Sequence, residues 1–164
     1  MGLAVPILVL PEAAYRRLRE LAEAEEMGVE ELVLNLALRD ASPSEAAEAF
    51  WEAAEALLAQ AEEELGRGDL RQASEKIWGA AALAVKALAL ERDGRRLKGH
   101  RELWQYVADL SRRLGDGQLR RLWQVANSMH ANFYEGWATA EYVRDALGDV
   151  RAFVERLGQL RPRR

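Results

Sequence analysis

Four side chains that could do chemistry recur along one stretch of the sequence, between residues 118 and 135. An indole, an amide, an imidazole and a phenol follow one another at spacings of four, three and four residues: Trp123, Asn127, His130 and Tyr134. Residues three or four positions apart share one face of an α-helix. The spacing therefore predicts a polar and aromatic row along one flank of a helix.

His130 is the first candidate for chemistry in this row, because imidazole exchanges a proton near neutral pH. Glu135 offers a carboxylate that could orient the imidazole or act as a base. These two are the candidate catalytic residues. The candidate ligand-binding residues supply amides, aromatic rings, a cation and a second imidazole, and they are Asn127, Asn132, Tyr134, Trp123, Lys76 and His100.

A structural interpretation of the two histidines stays open beside the functional one. Polar side chains on a helix often satisfy one another, or a partner subunit, across a helix interface. His100 lies in the polar run at residues 98–102 and is typical of a residue that caps or packs at a helix start. With no cysteine and only two histidines, the sequence predicts no metal site, and we expect no cofactor.

The apolar spacing predicts an all-α protein whose main part is an up-and-down antiparallel bundle of about five helices. The first helix begins with Ser42, Pro43 and Glu45, a capping box with proline at the first helical position. The next three are expected over about 70–91, 100–114 and 118–135, and Thr139 caps the last. This bundle is predicted to be one domain, residues 42–164.

Residues 1–41 are predicted to be a separate small segment. Residues 4–10 are apolar and too few for a helix before Pro11, which favours a short strand. Two helices follow, one over about 11–25 and one that carries Leu32, Val33, Leu36 and Leu38.

Composition and charge narrow the classes of function. The 164 residues are 49% hydrophobic and 30% charged, which is typical of an ordered globular protein. No apolar run reaches the roughly 18 residues of a membrane span, so we expect no membrane role and a cytoplasmic protein. Residues 1–41 carry four Arg against eight Asp or Glu, while residues 42–164 carry nineteen of each sign, so the N-terminal segment holds the net charge of −4.

Three blocks of sequence, at residues 72–81, 99–104 and 127–136, carry a family resemblance. They read Gln-Ala-Ser-Glu-Lys-Ile-Trp-Gly-Ala-Ala, Gly-His-Arg-Glu-Leu-Trp and Asn-Ser-Met-His-Ala-Asn-Phe-Tyr-Glu-Gly. Together they resemble the archaeal PaREP family, type one, over roughly residues 45–160. That family is similar to the HEPN superfamily of helical bundles, which implies a homodimer, or a pairing with a separately encoded protein.

The HEPN resemblance also implies a candidate activity. The superfamily is known for metal-independent ribonucleases, often toxins, in which an Arg precedes a His by a short interval that varies by a few residues. If His130 is that histidine, the Arg would fall at Trp123, Gln124 or Val125. The nearest preceding arginines are nine and ten residues back, at Arg121 and Arg120. This departure favours the members of the superfamily that bind without cleaving.

The first 40 residues resemble a ribbon-helix-helix unit, which implies dimerisation through paired strands. In DNA-binding units of this kind, alternate strand residues are polar and contact base edges. Here the outward set would be Val5, Ile7 and Val9, all apolar, on a segment that is acidic. These features argue against DNA binding and favour a dimerisation role.

Three functions follow, in this order. The first is a homodimeric, non-catalytic binding module for a nucleotide, RNA or protein ligand. The second is a toxin-like, metal-independent ribonuclease in which His130 is the acid or base and a cation from Arg120, Arg121 or Lys76 stabilises the phosphorane. The third is a DNA-binding regulator that uses the N-terminal ribbon.

Overall fold

The computed structural model describes residues 6–163, which form seven α-helices. The helices are α1 (Glu12–Ala24), α2 (Val29–Ala37), α3 (Pro43–Arg67), α4 (Leu70–Asp93), α5 (Gly99–Leu114), α6 (Gly117–Glu135) and α7 (Ala140–Gln159). The predicted all-α class is confirmed. No helix in this described part is long and apolar enough to cross a membrane.

Most helices of the bundle begin at capping residues, as the sequence predicts for α3. Ser42 accepts a hydrogen bond from the Glu45 backbone N–H at 3.2 Å, with Pro43 as the first residue of α3. Asp69 caps α4 in the same way, and its carboxylate accepts from the Gln72 N–H at 3.0 Å. Satisfying these otherwise unpaired N–H groups fixes where each helix begins.

Helix α4 is the central helix. Every residue from 77 to 90 along it is buried, and it packs against α3, α5, α6 and α7. The small-residue run at 79–82 lets α3 approach closely, since a Cβ added to Gly79 would lie 3.0 Å from the Leu57 side chain. An all-round buried helix of this kind is the scaffold on which the other helices present their side chains.

The predicted N-terminal strand is not found. Residues 6–10 are in no strand, and residues 4 and 5 of the predicted range lie outside the described residues. A strand needs a neighbour with which to pair its backbone groups, and no described segment pairs with residues 6–10. Ile7 and Val9 are instead 88% and 86% exposed.

Helices α1 and α2 form a hairpin, here called the N-terminal hairpin (residues 12–37), that is held to the bundle mainly through α2. Glu31 of α2 and Lys86 of α4 form a buried ion pair, with side chains only 5% and 4% exposed. Glu30, the residue before Glu31, pairs with Lys76, which lies about three turns before Lys86 in α4. The turn between α1 and α2 contains Glu26 at a φ of 56°, a left-handed conformation that few non-glycine residues adopt.

Candidate functional site

Three helices of the bundle bring the rings of Trp78, His100 and His130 into mutual contact. The two imidazole centroids are 4.9 Å apart, and Trp78 lies 4.9 Å from His130 and 5.1 Å from His100. The Tyr134 ring stands perpendicular to His130 at 5.4 Å. We call Trp78, His100, His130 and Tyr134 the histidine cluster, and both histidines of the chain are in it.

The turn of the N-terminal hairpin covers one side of the histidine cluster. The His100 Nε2–H donates to the Glu26 backbone carbonyl at 2.6 Å, and its Nδ1 lies 3.8 Å from the Glu26 carboxylate. Glu26, which accepts this hydrogen bond, is also the residue with the positive φ. Such strain of about 1–3 kcal/mol persists only where surrounding contacts hold it, and the bond to His100 is one of them.

His130 is held in its neutral form. Burial, followed by the charge of neighbouring His100, lowers the pKa of His130 to about 4, against the opposing charge of Glu26. Its Nδ1 is buried without a hydrogen-bond partner among the described residues. At neutral pH the imidazole is therefore an uncharged hydrogen-bonding group.

A small cleft lies beside the cluster, between the N-terminal hairpin and helices α4 and α6. We call it the hairpin cleft; its charged lining residues are Arg19, Glu23, Glu30, Glu75 and Lys76. Its volume is about 40 Å³, enough for an ammonium group or a few waters but too small for a whole nucleotide. Burial, followed by the charge of Glu75, raises the pKa of Tyr134. Tyr134 belongs to the histidine cluster and Glu75 lines the cleft, so the charges of the two sites influence each other.

Glu75 is the unusual carboxyl of the cleft. Burial, followed by the charge of Glu30, raises the pKa of Glu75 to about 7, against the opposing charge of Lys76. Both cations of the cleft are in ion pairs, Lys76 with Glu30 and Arg19 with Glu23 at 3.9 Å. Near neutral pH, Glu75 is therefore poised between its neutral and ionised forms and would gain a partner if a cation entered.

Of the predicted row, His130 and Tyr134 lie together at the edge of the cluster. Trp123 instead points inward: it is 1% exposed, and its ring lies 5.2 Å from Trp78. The Asn127 amide donates to the Trp123 carbonyl one turn back at 2.8 Å. The spacing predicted a common flank correctly, but Trp123 is too deep to be a surface ligand platform.

Asn132 and Glu135 have other surroundings than the sequence predicted. The Asn132 Nδ2–H donates to the Ser74 hydroxyl at 2.8 Å, and its Oδ1 accepts from the Ala138 N–H at 2.7 Å. Both ends of this buried amide thus hold α4, α6 and the loop before α7 together. Glu135 is exposed and lies five residues beyond His130, about 140° around the helix, so it does not face the imidazole.

The cations named in the ribonuclease hypothesis are not at the cluster. Arg120 donates to Ser111 at 3.0 Å and Arg121 to Gln118 at 3.5 Å. They begin α6, whereas His130 lies nine or ten residues later, about 14 Å along the helix axis. Lys76 faces the hairpin cleft and is paired there with Glu30.

Three residues of the site were not predicted from sequence: Trp78, Glu26 and Glu75. Glu75 and Trp78 are three positions apart in α4, so their shared face was readable once α4 was known to be central. Glu26 gave no local signal, because its role depends on a turn docking against a distant helix. Within residues 6–163 no group of three or more His, Asp or Glu side chains is arranged to hold a metal ion.

The similarity of this chain to a known protein family lies in the bundle and not in the N-terminal hairpin. Residues 49–154 match the sequence model of the archaeal PaREP1/PaREP8 family. That range includes the whole histidine cluster and Glu75, but not the N-terminal hairpin.

Among solved structures, the chain is similar to the crystal structure of a protein from Sulfolobus solfataricus. The two are 28% identical, with a TM-score of 0.58, and the match covers 65% of this chain and 94% of that one. No curated protein matches the chain.

We predict that His130 titrates near pH 4 and that His100→Gln raises this pKa without restoring the ordinary 6.5, because burial is the larger cause. Nuclear magnetic resonance of the imidazole Cε1–H signals measures both values. Since the folded-state pKa lies below 6.5, lowering the pH from about 6.5 to 4 protonates the unfolded chain first and destabilises the fold. An ordinary pKa for His130 in the parent protein would contradict its burial against Trp78 and His100.

Proposed function

Because this chain belongs to the archaeal PaREP1/PaREP8 family, we propose, from the site that its bundle carries, that it is a non-catalytic binding module. The sequence resemblance to the HEPN superfamily, which includes members that bind without cleaving, supports this proposal. The observation that carries the proposal is the hairpin cleft, where Glu75 can gain a charge when a cation arrives. The ligand group we propose is an ammonium, such as a lysine side chain of a separately encoded partner protein.

The charges of the cleft support this choice over a nucleotide or RNA ligand. A phosphate needs unpaired cations, and Lys76 and Arg19 already face carboxylates. An ammonium would instead find Glu75, which lacks a comparably close cation, and the Tyr134 phenol nearby. The volume of about 40 Å³ fits such a head group and leaves the rest of the ligand outside.

A metal-independent ribonuclease is the second candidate. Its support is the pair of imidazoles 4.9 Å apart, since an acid and a base are what strand cleavage without a metal requires. The distance of Arg120 and Arg121 from His130 counts against it. Binding of DNA through a ribbon has less support, because residues 6–10 are in no strand and the segment is acidic.

We predict that spermidine, a probe that carries ammonium groups, binds more tightly at about pH 8 than at about pH 5.5. Glu75 is ionised at the higher pH and protonated at the lower. Each unit by which the bound cation lowers the pKa of Glu75 corresponds to about tenfold in affinity between these two states. Isothermal titration calorimetry at both pH values measures the ratio. Glu75→Gln should abolish the difference, while Glu52→Gln, an exposed carboxyl of α3, should retain it.

Equal spermidine affinity at the two pH values in the parent protein would contradict the ammonium site. The same preparations are incubated with mixed-sequence RNA in chelator, and the RNA should stay intact. Cleavage that disappears in the His130→Gln variant would contradict the non-catalytic proposal and support the ribonuclease hypothesis.

We also propose that two copies of the chain associate through residues 7–9. Ile7, Leu8 and Val9 are 88%, 78% and 86% exposed. Such a run of β-branched and leucine side chains is suited to become a strand when it pairs with the same segment of a second copy. Burying these side chains against a second copy would remove the exposed apolar surface and satisfy the backbone groups.

For this dimer we predict a mass by light scattering of about twice 18.4 kDa. The double variant Ile7→Lys, Val9→Lys should be monomeric, because like charges would meet across the pair. Ala13→Lys adds a charge on the exposed face of α1 and should remain dimeric. A parent protein that is monomeric at every concentration would rule the association out.

A further inference from the structure

A second, larger cavity lies on the other side of α2. It is enclosed by the end of α2, helices α3 and α4, and the loop between α4 and α5, and its volume is about 340 Å³. We call it the basic pocket. A cavity of this size accepts a small organic molecule, in contrast to the hairpin cleft.

The charged side chains that line the basic pocket are all cationic: Arg39, Lys86, Arg96 and Lys98. Lys86 is neutralised by its buried pair with Glu31. Arg96 donates to the Ala41 backbone carbonyl at 2.7 Å. Because a carbonyl oxygen carries no formal charge, this bond does not neutralise the guanidinium. Arg39 lies 3.5 Å from Asp40, but both are largely exposed and such a pair is weak.

Lys98 completes the positive rim. It is exposed, and it is the backbone N–H of this residue that binds the Glu102 carboxylate, at 2.5 Å. The lining thus carries an excess of positive charge after the Lys86 pair is set aside. An anion entering the pocket would meet guanidinium and ammonium groups on one side.

The opposite wall of the pocket is apolar. Phe50, Leu90 and Leu97 contribute it, from α3, α4 and the loop after α4, and all three are buried. Asn35 adds one amide at the edge. A ligand that fits both walls has an anionic head and an apolar or aromatic body.

We propose that the basic pocket, between α2 and the α4–α5 loop, binds a small organic anion, a carboxylate or phosphate attached to an apolar or aromatic group. The head lies between Arg96, Lys98 and Arg39, and the body packs on Phe50, Leu90 and Leu97. The site is separate from the hairpin cleft, which has mixed charge and holds a far smaller volume.

The test compares three probes with the full chain by calorimetry: 4-phenylbutyrate, phenyl phosphate and the neutral 4-phenylbutanamide. At least one anion should bind, and it should bind about tenfold or more tightly than the amide, because charge-assisted bonds to the rim are lost with the charge. The ratio of the two anions identifies the head group as carboxylate or phosphate.

Variants locate the binding. Lys98→Gln, which changes an exposed side chain with no part in the core, should weaken the anion about tenfold, and Arg39→Gln should also weaken it. Arg101→Gln removes an exposed cation of α5 that does not line the pocket and should leave the affinity unchanged. The proposal is overturned if neither anion binds at millimolar concentration, if the amide binds as well as the anions, or if Arg101→Gln weakens binding as much as Lys98→Gln.

Discussion

The arrangement of both cavities depends on the buried ion pair between Glu31 of α2 and Lys86 of α4. Removing two charges from water costs several kcal/mol per ion, so each partner is acceptable in the interior only while the other is present. That requirement fixes where α2 lies on the central helix, although α2 is only nine residues long. Without the pair, α1 would have little to hold it, since Ala22 is its one buried residue.

From this anchor, the N-terminal hairpin forms part of the wall of two sites with different electrostatics. On one side its turn contacts His100. Burial, followed by the charge of Glu30 in the hairpin, raises the pKa of Glu75, which makes the cleft receptive to a cation. On the other side, the end of α2 adds Asn35, and the segment just after α2 adds Arg39, to a pocket rimmed by cations over an apolar wall. The family match covers the bundle helices that carry the histidine cluster, and it does not include the hairpin. The hairpin covers one side of that cluster through the contact between Glu26 and His100.

Sequence reasoning predicted what is local and missed what depends on docking. Ser42 and Thr139 marked helix starts because a cap acts within three residues of itself. The 3.6-residue period placed His130 and Tyr134 together but could not say that Trp123 turns inward. That His100 meets His130, and that Glu26 contacts His100, required knowing how the N-terminal hairpin, α5 and α6 pack on α4. The strand at residues 4–10 was predicted from composition, whereas a strand exists only with a paired neighbour.

The most direct test is amide hydrogen exchange of Lys86→Met, which keeps the length of the side chain and leaves Glu31 buried without its cation. Breaking such a pair costs about 3–5 kcal/mol, so the amides of α1 and α2 should exchange at least about 100-fold faster while those of α4 and α7 change far less. Lys76→Met, which breaks the more exposed pair with Glu30, should have a smaller effect. Hairpin amides that exchange as in the parent protein would contradict the account, as would an equal acceleration along the whole chain.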